Sequence, residues 1–305
     1  MNILITGASG FIGSYLTKHI GGSITGVDRD EIDLDNRRQM YNLIHIIDEH
    51  MGGCDTIIHC AGLADNRYSS SHLTEQFADN VLATHNLMET ALDCGVKNII
   101  HLSTACVYGY YPNYFHTQRM SNVPYYINEE DYMEPISIYG TTKMLGEQIV
   151  RNYSKEYGLN ATILRLGNIV GEGYKHGVIY DFFNKLNKSP HAMEILGDGQ
   201  QTKQYLDVYD LSRVIQSFVD KPETVTLNVA NINGIPVTEV AQIVADAMGL
   251  SPKFTYTGGE SGWKGDSPVT HLDVSKMCRR GFTPHLTSSG AVRKTIKELI
   301  NNANK

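Results

Sequence analysis

Tyr139 and Lys143 stand four residues apart in a stretch, residues 138–157, whose pattern is helical. That spacing sets both side chains on one face, one turn apart. An ammonium beside a phenol favours the phenolate, so Tyr139 is expected to have its pKa lowered from about 10. Such a group can accept the proton of an alcohol that is being oxidised. A Tyr-x-x-x-Lys pair is common by chance, and it takes its weight here from a second pattern at the N-terminus.

Residues 1–13 read MNILITGASGFIG. Ile3, Leu4 and Ile5 form the short apolar run of a strand buried on both faces, and residues 14–20 take up a helical pattern. Between them Gly7 permits a tight turn, Gly10 lets the backbone approach a pyrophosphate, and Gly13 lets the helix pack close to the sheet. The helix N-terminus then offers unpaired N–H groups to phosphate. Asp28 lies about twenty residues on, at the tip of a second strand (23–28), where a ribose-binding acid belongs. Strand, glycine turn, helix and acid together predict dinucleotide binding. Asp28 would repel a 2′-phosphate, which favours NAD over NADP, although the adjacent Arg29 could accommodate that phosphate.

The elements that must position these groups alternate along the chain. A helical stretch at 37–51 carries Met40, Leu43, Ile44 and Ile47 on one face, and Asp33-Leu34 before it leaves room for at most a very short third strand. Residues 55–62 (DTIIHCAG) form a strand ending in small residues, where Ala61 and Gly62 would let the cofactor lie against backbone. His59 within it reads as a packed core histidine. A helix at 80–94, a strand at 96–103, the helix at 138–157 and a strand at 159–170 follow. The alternation predicts a doubly wound parallel sheet, a Rossmann-type α/β fold. Domain 1–170 binds dinucleotide, and the chain returns to it at 205–230. Residues 171–305 mainly build a smaller C-terminal substrate-binding domain, with a helix at 178–186, a turn at 197–199, a loop at 264–268 and a closing helix at 287–302. The tyrosine-rich stretch 108–137 is either a solvated insertion or a wall over the substrate.

Composition narrows the class. The net charge is -7 with 19% charged residues, which gives no basic patch for nucleic acid. No stretch reaches the ~20 apolar residues of a membrane span. The first strand starts at the N-terminus and leaves no room for a signal peptide. Cys54, Cys60, Cys94, Cys106 and Cys278 show neither a CxxC pair nor metal-ligand spacing. A reduced cytoplasmic enzyme without a metal is expected.

The motifs TGASGFIG (6–13), HCAG (59–62), STACVYG (103–109), YGTTK (139–143), RLGNIVG (165–171) and GDGQQTKQYLDVYD (197–210) resemble those of extended short-chain dehydrogenases/reductases. The type is that of the NAD-dependent nucleotide-sugar epimerases and dehydratases, and the C-terminal WKGD and LDVSK add to the match. The resemblance implies a catalytic set of Thr104, Tyr139 and Lys143, with Thr104 on the reacting sugar oxygen and Lys143 also on the nicotinamide ribose. It implies cofactor contacts from Gly7, Gly10, Phe11, Ile12, Gly13, Asp28, Asp33, Leu34, Cys60, Ala61, Gly62 and Asn80, besides Tyr139 and Lys143. Substrate contacts would come from Thr104, Asn168 and Lys203. A homodimer through the helices at 80–94 and 138–157 is also implied.

Two departures bear on the reaction. Sugar 4,6-dehydratases carry Asp-Glu directly after the catalytic threonine, whereas this chain has Ala105 and Cys106, so water elimination lacks its usual catalysts. The diphosphate-binding arginine after the GDG turn is Lys203, which supplies charge but no bidentate fork. The expected activity is a 4-epimerase working through a transient 4-keto sugar. The run S-T-A-C-V-Y is also similar to nucleotide-sugar 3,5-epimerases and epimerase/4-reductases. There Cys106 would be an acid/base faced by Lys185 or His176. A non-catalytic dinucleotide-binding regulator is the reading from another class; it would have no need of Tyr139.

Overall fold

Ile3, Leu4 and Ile5 have no exposed surface, as an apolar run without alternation must in a sheet covered on both faces. The computed structural model describes residues 1–64, 72–109, 126–263 and 271–303. The expected loop 264–268 and residues 110–125 of the tyrosine-rich stretch lie outside these described residues.

The first half of the chain runs β1 (Asn2–Thr6), α1 (Phe11–His19), β2 (Ser23–Val27), α2 (Met40–His45), β3 (Thr56–His59), α3 (Leu73–Phe77), α4 (Ala83–Asp93), β4 (Asn98–Thr104), α5 (Ile138–Tyr157) and β5 (Asn160–Leu166). Then come β6 (Asn168–Val170), α6 (Gly177–Lys188), β7 (Ala192–Ile195), β8 (Thr202–Lys203), β9 (Tyr205–Asp207) and α7 (Val208–Asp220). The remainder is β10 (Val225–Val229), β11 (Ile235–Pro236), α8 (Val237–Ala247), β12 (Lys253–Tyr256), α9 (Ser275–Arg279) and α10 (Ser288–Ala303). Six strands form one parallel sheet in the order β10-β5-β4-β3-β1-β2, the doubly wound α/β arrangement expected. The sequence order reverses beside β1, the position at which open α/β sheets take ligands at the carboxyl ends of their strands.

The register is tight: Ile5 of β1 lies between Gly26 of β2 and Ile58 of β3. On one side of the sheet Leu4, Ile57, Ile99 and Ile163 pack with Leu43, Ile47, Leu87, Met88 and Val150 into one continuous core. Met40, Leu43 and Ile47 are buried as their helical spacing predicts, but Ile44 is only half-buried. No strand intervenes between β2 and α2.

Two expectations need correction. Residues 159–170 are not one strand. The chain breaks at Gly167, whose N–H donates to Val229 O at 2.9 Å, while the next N–H, of Asn168, donates to Gln204 O at 3.1 Å. β6 therefore pairs with β9 in a separate two-stranded sheet. Gly167 permits this because a Cβ there would lie 2.8 Å from the Ala230 methyl. The helix expected at 80–94 starts earlier and is interrupted: a π-helical turn, Ala78–Leu82, joins α3 to α4. Such turns often mark functional positions.

The described chain divides into two compact units. One comprises Met1–Val107, Met133–Arg165 and Ser212–Leu227; the other comprises Tyr108–Tyr132, Leu166–Leu211 and Asn228–Lys305. All five cysteines are free thiols. No helix among the described residues is long and apolar enough to cross a membrane.

Candidate active site

The glycine turn is fixed by contacts that no side chain would survive. Gly7 has φ +70, and a Cβ on it would sit 2.8 Å from the backbone of Ala61. A Cβ on Gly13 would sit 2.0 Å from Gly7 O. The turns after β1 and β3 thus touch backbone to backbone, and α1 starts hard against the first of them. Phe11 and Ile12 open α1 half-buried, and its N-cap, Gly10, brings no side-chain cap and is followed by no acidic residue in the first turn. An anion at that terminus meets no competing cap and no acidic residue of the helix's own first turn. Gly62, with φ +147, adds a further position without a side chain. These residues fit a dinucleotide: α1 would hold its pyrophosphate and the 60–62 turn would lie along it.

Asp28 is half-buried at the tip of β2, and its Oδ2 accepts from Ser9 N at 2.8 Å, which holds the carboxylate over the glycine turn. Asp33 donates its N–H to Gln39 Oε1 at 2.7 Å, and Leu34 is buried with its carbonyl accepting from Asn86 Nδ2 at 2.8 Å. Cys60 donates its N–H to Thr6 O at 3.2 Å. Burial pushes its thiol up to about 12, so it stays a neutral packing group.

Asn80 joins the loop after β3 to α5. From the π turn its Oδ1 accepts from Leu63 N at 3.0 Å, and its Nδ2 donates to Leu63 O at 3.1 Å and to Thr142 Oγ1 at 3.0 Å. A Cβ on Gly62 would lie 2.6 Å from Asn80 Oδ1 and 3.8 Å from Lys143 Nζ. Gly62, Asn80 and Lys143 therefore meet at one point. Thr142 and Leu63, which the sequence did not single out, are the partners that set Asn80.

His59 behaves as the core histidine expected. Thr84 Oγ1 donates to Asn80 O at 2.8 Å, so it accepts from His59 Nε2 at 3.0 Å. The Nδ1 of His59 then accepts from Thr6 Oγ1 at 2.8 Å, and Thr6 Oγ1 in turn accepts from Ala61 N at 3.3 Å. This chain fixes one neutral tautomer. Burial pushes the ring down to about 3, and His101 beside it is likewise pushed well below its usual range. Both effects bear on stability in acid. Between pH 6.5 and about 3 the unfolded chain binds a proton at His59 that the folded chain refuses. Its stabilising contribution is thus present above pH 6.5 and lost as pH falls. Urea unfolding between pH 7 and 4.5 should show stability declining by at least about 1.4 kcal/mol per pH unit below 6. A flat profile would contradict the neutral, buried state of both rings.

The catalytic candidates gather at the head of α5. Ser137 caps this helix, accepting from Gly140 N at 3.1 Å, which puts Tyr139 in the first turn. Gly140 lets that turn press on the 3₁₀ turn Ala105–Val107: a Cβ there would sit 2.4 Å from Cys106 O. Tyr139 and Thr104 are each 8% exposed, and the Thr104 hydroxyl is near enough to favour the ionised phenol; Thr104 Oγ1 accepts from Cys106 N at 3.2 Å. Lys143 follows one turn on, 7% exposed.

Their electrostatics differ from the expectation. Burial, and then Cys106, pushes the Tyr139 phenol above its usual range, while the Thr104 hydroxyl opposes the rise. Lys143 is not among the groups that shift it. Burial lowers the lysine itself to about 8, with Glu147 and Cys60 working to raise it. Loss of hydration outweighs the charge of a neighbour on the same helix face.

Glu147, one further turn along α5, has no exposed surface and grips Arg165, which donates from Nη2 to its Oε2 at 2.8 Å and from Nε to its Oε1 at 3.0 Å. Ser103, next to Thr104, also bonds to Glu147, at 2.5 Å. The pair ties the end of β4 to α5 and β5, and it too escaped the sequence reading.

The second unit holds the other candidates. Asn168 is exposed at the start of β6 opposite Tyr205, and Lys203 pairs with Ile235 across β8 and β11. Lys185 is engaged, 3.0 Å from Asp181 Oδ2 and donating to Glu194 O at 3.1 Å. His176 is exposed beside Tyr174, their ring centroids 5.2 Å apart.

A doubly wound sheet with a glycine turn after its first strand is the architecture of dinucleotide-binding folds. Residues 3–232 match the model of the NAD dependent epimerase/dehydratase family, and the chain belongs to that family, with NAD as cofactor. A putative UDP-glucose 4-epimerase of Methanocaldococcus jannaschii is 26% identical over 98% of this chain and 99% of its own length. A crystal structure of a UDP-galactose 4-epimerase superposes with TM-score 0.82 at 30% identity, covering 99% of each chain. MoeE5 in complex with UDP-glucuronic acid and NAD superposes with TM-score 0.81 at 25% identity, over 99% of this chain and all of that one.

Proposed function

We propose that this chain is an NAD-dependent nucleotide-sugar 4-epimerase. The observation that carries the reading is the clustering of buried Thr104 and Tyr139 at the head of α5, with Lys143 one turn on and no carboxylate at positions 105 and 106. NAD, when bound, supplies the acceptor and donor of hydride at the sugar's C4. Tyr139 would take the proton of the 4-hydroxyl as that carbon is oxidised and give it back on return. Thr104 would hold the same oxygen. Lys143 would hold the nicotinamide ribose and keep positive charge near the phenol. The raised affinity of Tyr139 for its proton makes its ionised form a strong base. A planar 4-keto sugar exposes both faces, so rotation between loss and return of hydride inverts C4.

The neighbours that act on UDP-sugars support a nucleotide sugar as substrate. Asn168 and Lys203, both in the second unit, would contact its diphosphate, and that unit would be the substrate-binding part. Exposed Leu73, Phe77, Leu82 and Leu145 lie on α3, the π turn and α5, a surface that a homodimer would cover; a one-chain mass in sedimentation would remove that part of the reading. A 3,5-epimerase is favoured by one observation, the closeness of Cys106 to Tyr139. Mass spectrometry of co-purifying nucleotides, followed by turnover of UDP-glucose, UDP-galactose, UDP-glucuronic acid and GDP-mannose, tests the substrate. Inversion at C4 is expected; inversion only at C3 or C5 would replace the reading.

A further inference from the structure

Arg29 follows Asp28 directly, in the place from which an arginine can accommodate the 2′-phosphate of NADP. Its guanidinium is committed elsewhere. Nη2 is ion-paired with Asp79 Oδ1, and Nε faces Asp33 Oδ1 at 3.7 Å. Asp79 sits in the π turn immediately before Asn80, and its side chain is only 11% exposed. Asp33 crowds Asp35 as well, whose carboxyl is pushed up by burial and by that neighbour. Asp28 is held over the glycine turn by Ser9 N. One guanidinium is thus flanked by the carboxylates of Asp33 and Asp79, with Asp35 beside Asp33 and Asp28 next to it in the chain.

We infer that Asp79 is a specificity-determining residue for the cofactor: by occupying the Arg29 guanidinium it denies a 2′-phosphate its counter-ion. Asp28 repels the 2′-phosphate, and Asp79 removes the cation that could offset that repulsion. Fifty residues separate the pair, so the preference is written partly in the π turn and not only at the tip of β2. With Asp79 on Nη2 and Asp33 facing Nε, a phosphate that approaches this guanidinium meets a charge already partly neutralised and competes with Asp79 for it. The ion pair is exposed on the arginine side, so removing its acid partner should leave the turn folded and the arginine free. The inference rests on NAD as the cofactor and is independent of the sugar chemistry proposed above.

The test is calorimetric titration of the full chain, stripped of nucleotide, with NAD and with NADP at fixed ionic strength. The wild type should bind NAD more tightly. In Asp79→Ala and Asp79→Asn the Kd for NADP should fall about tenfold, the scale of one regained charge-assisted hydrogen bond, while that for NAD changes less than about twofold. Adding Arg29→Ala to Asp79→Ala should return NADP affinity to the wild-type level. A gain that persists without Arg29 would reflect loss of negative charge alone and would overturn the inference. So would an absent gain in both Asp79 variants, or a wild type that prefers NADP. If Asp79→Ala weakens both nucleotides, the isosteric Asp79→Asn decides: the same joint loss there would make Asp79 a structural residue. A wild type that binds neither nucleotide would overturn the cofactor assignment itself, whatever the sugar reaction proves to be.

Discussion

Tyr139→Phe should lower turnover by about 10²–10⁴-fold while leaving NAD bound with near-normal affinity. The variant removes one oxygen from the head of α5 and leaves its packing intact. The pyrophosphate end of the cofactor would lie at Gly7, Gly10 and Gly13, on a different loop. Thr104 keeps its hydrogen bond from Cys106 N. The loss should fall on kcat, because the missing group acts on a proton in the transition state and hardly on binding. Cofactor content by absorbance and single-turnover rates on the purified variant separate the two effects. Turnover within about threefold of wild type would remove Tyr139 from the chemistry.

Glu147→Ala should cost about 3–5 kcal/mol of stability, measured by urea unfolding at neutral pH. The carboxylate is fully buried and holds Arg165 through two donors, and the variant leaves that guanidinium 2% exposed with its ion-pair partner gone. Ser103 loses its bond as well. The effect reaches the site by a second route. Glu147 is the largest influence raising the Lys143 ammonium against its desolvation, so the variant should also make that lysine easier to deprotonate. Glu147→Gln should recover part of the stability through hydrogen bonding without restoring the charge. A loss under about 1 kcal/mol in Glu147→Ala would contradict the buried pair.

What the sequence showed and what it hid have a common cause. The sheet was legible because a doubly covered strand writes itself locally, as ILI at residues 3–5 and TII at 56–58, and because glycine and small-residue turns follow those strands at fixed spacing. Tyr139 and Lys143 were legible because one helix sets their distance. The ties between distant segments were not. Glu147 and Arg165 look like ordinary surface charges until β5 is packed on α5, and Arg29 meets Asp79 only once the π turn is formed. That turn has no periodic signature, since its extra residue is stabilised by tertiary hydrogen bonds from Asn80 to Leu63 and Thr142. Gly167 did carry a signal: a glycine inside an apolar strand pattern marks a break or close approach, and it divides β5 from β6. The expected lowering of the Tyr139 pKa failed for a related reason. Helical spacing gives the neighbour, but burial, a property of the whole fold, decides the sign.

The central claim is that hydride leaves and returns at C4 and that no other carbon-bound hydrogen is exchanged. Turnover of UDP-galactose and UDP-glucose in heavy water, followed by proton and deuterium NMR of the recovered sugar, reads this directly. Under the 4-epimerase account C4 is inverted, the product carries no deuterium on carbon, and Cys106→Ser keeps most of the activity. Deuterium at C3 or C5, with activity collapsing in Cys106→Ser, would mean that the 4-ketone serves to acidify neighbouring carbons and would contradict it.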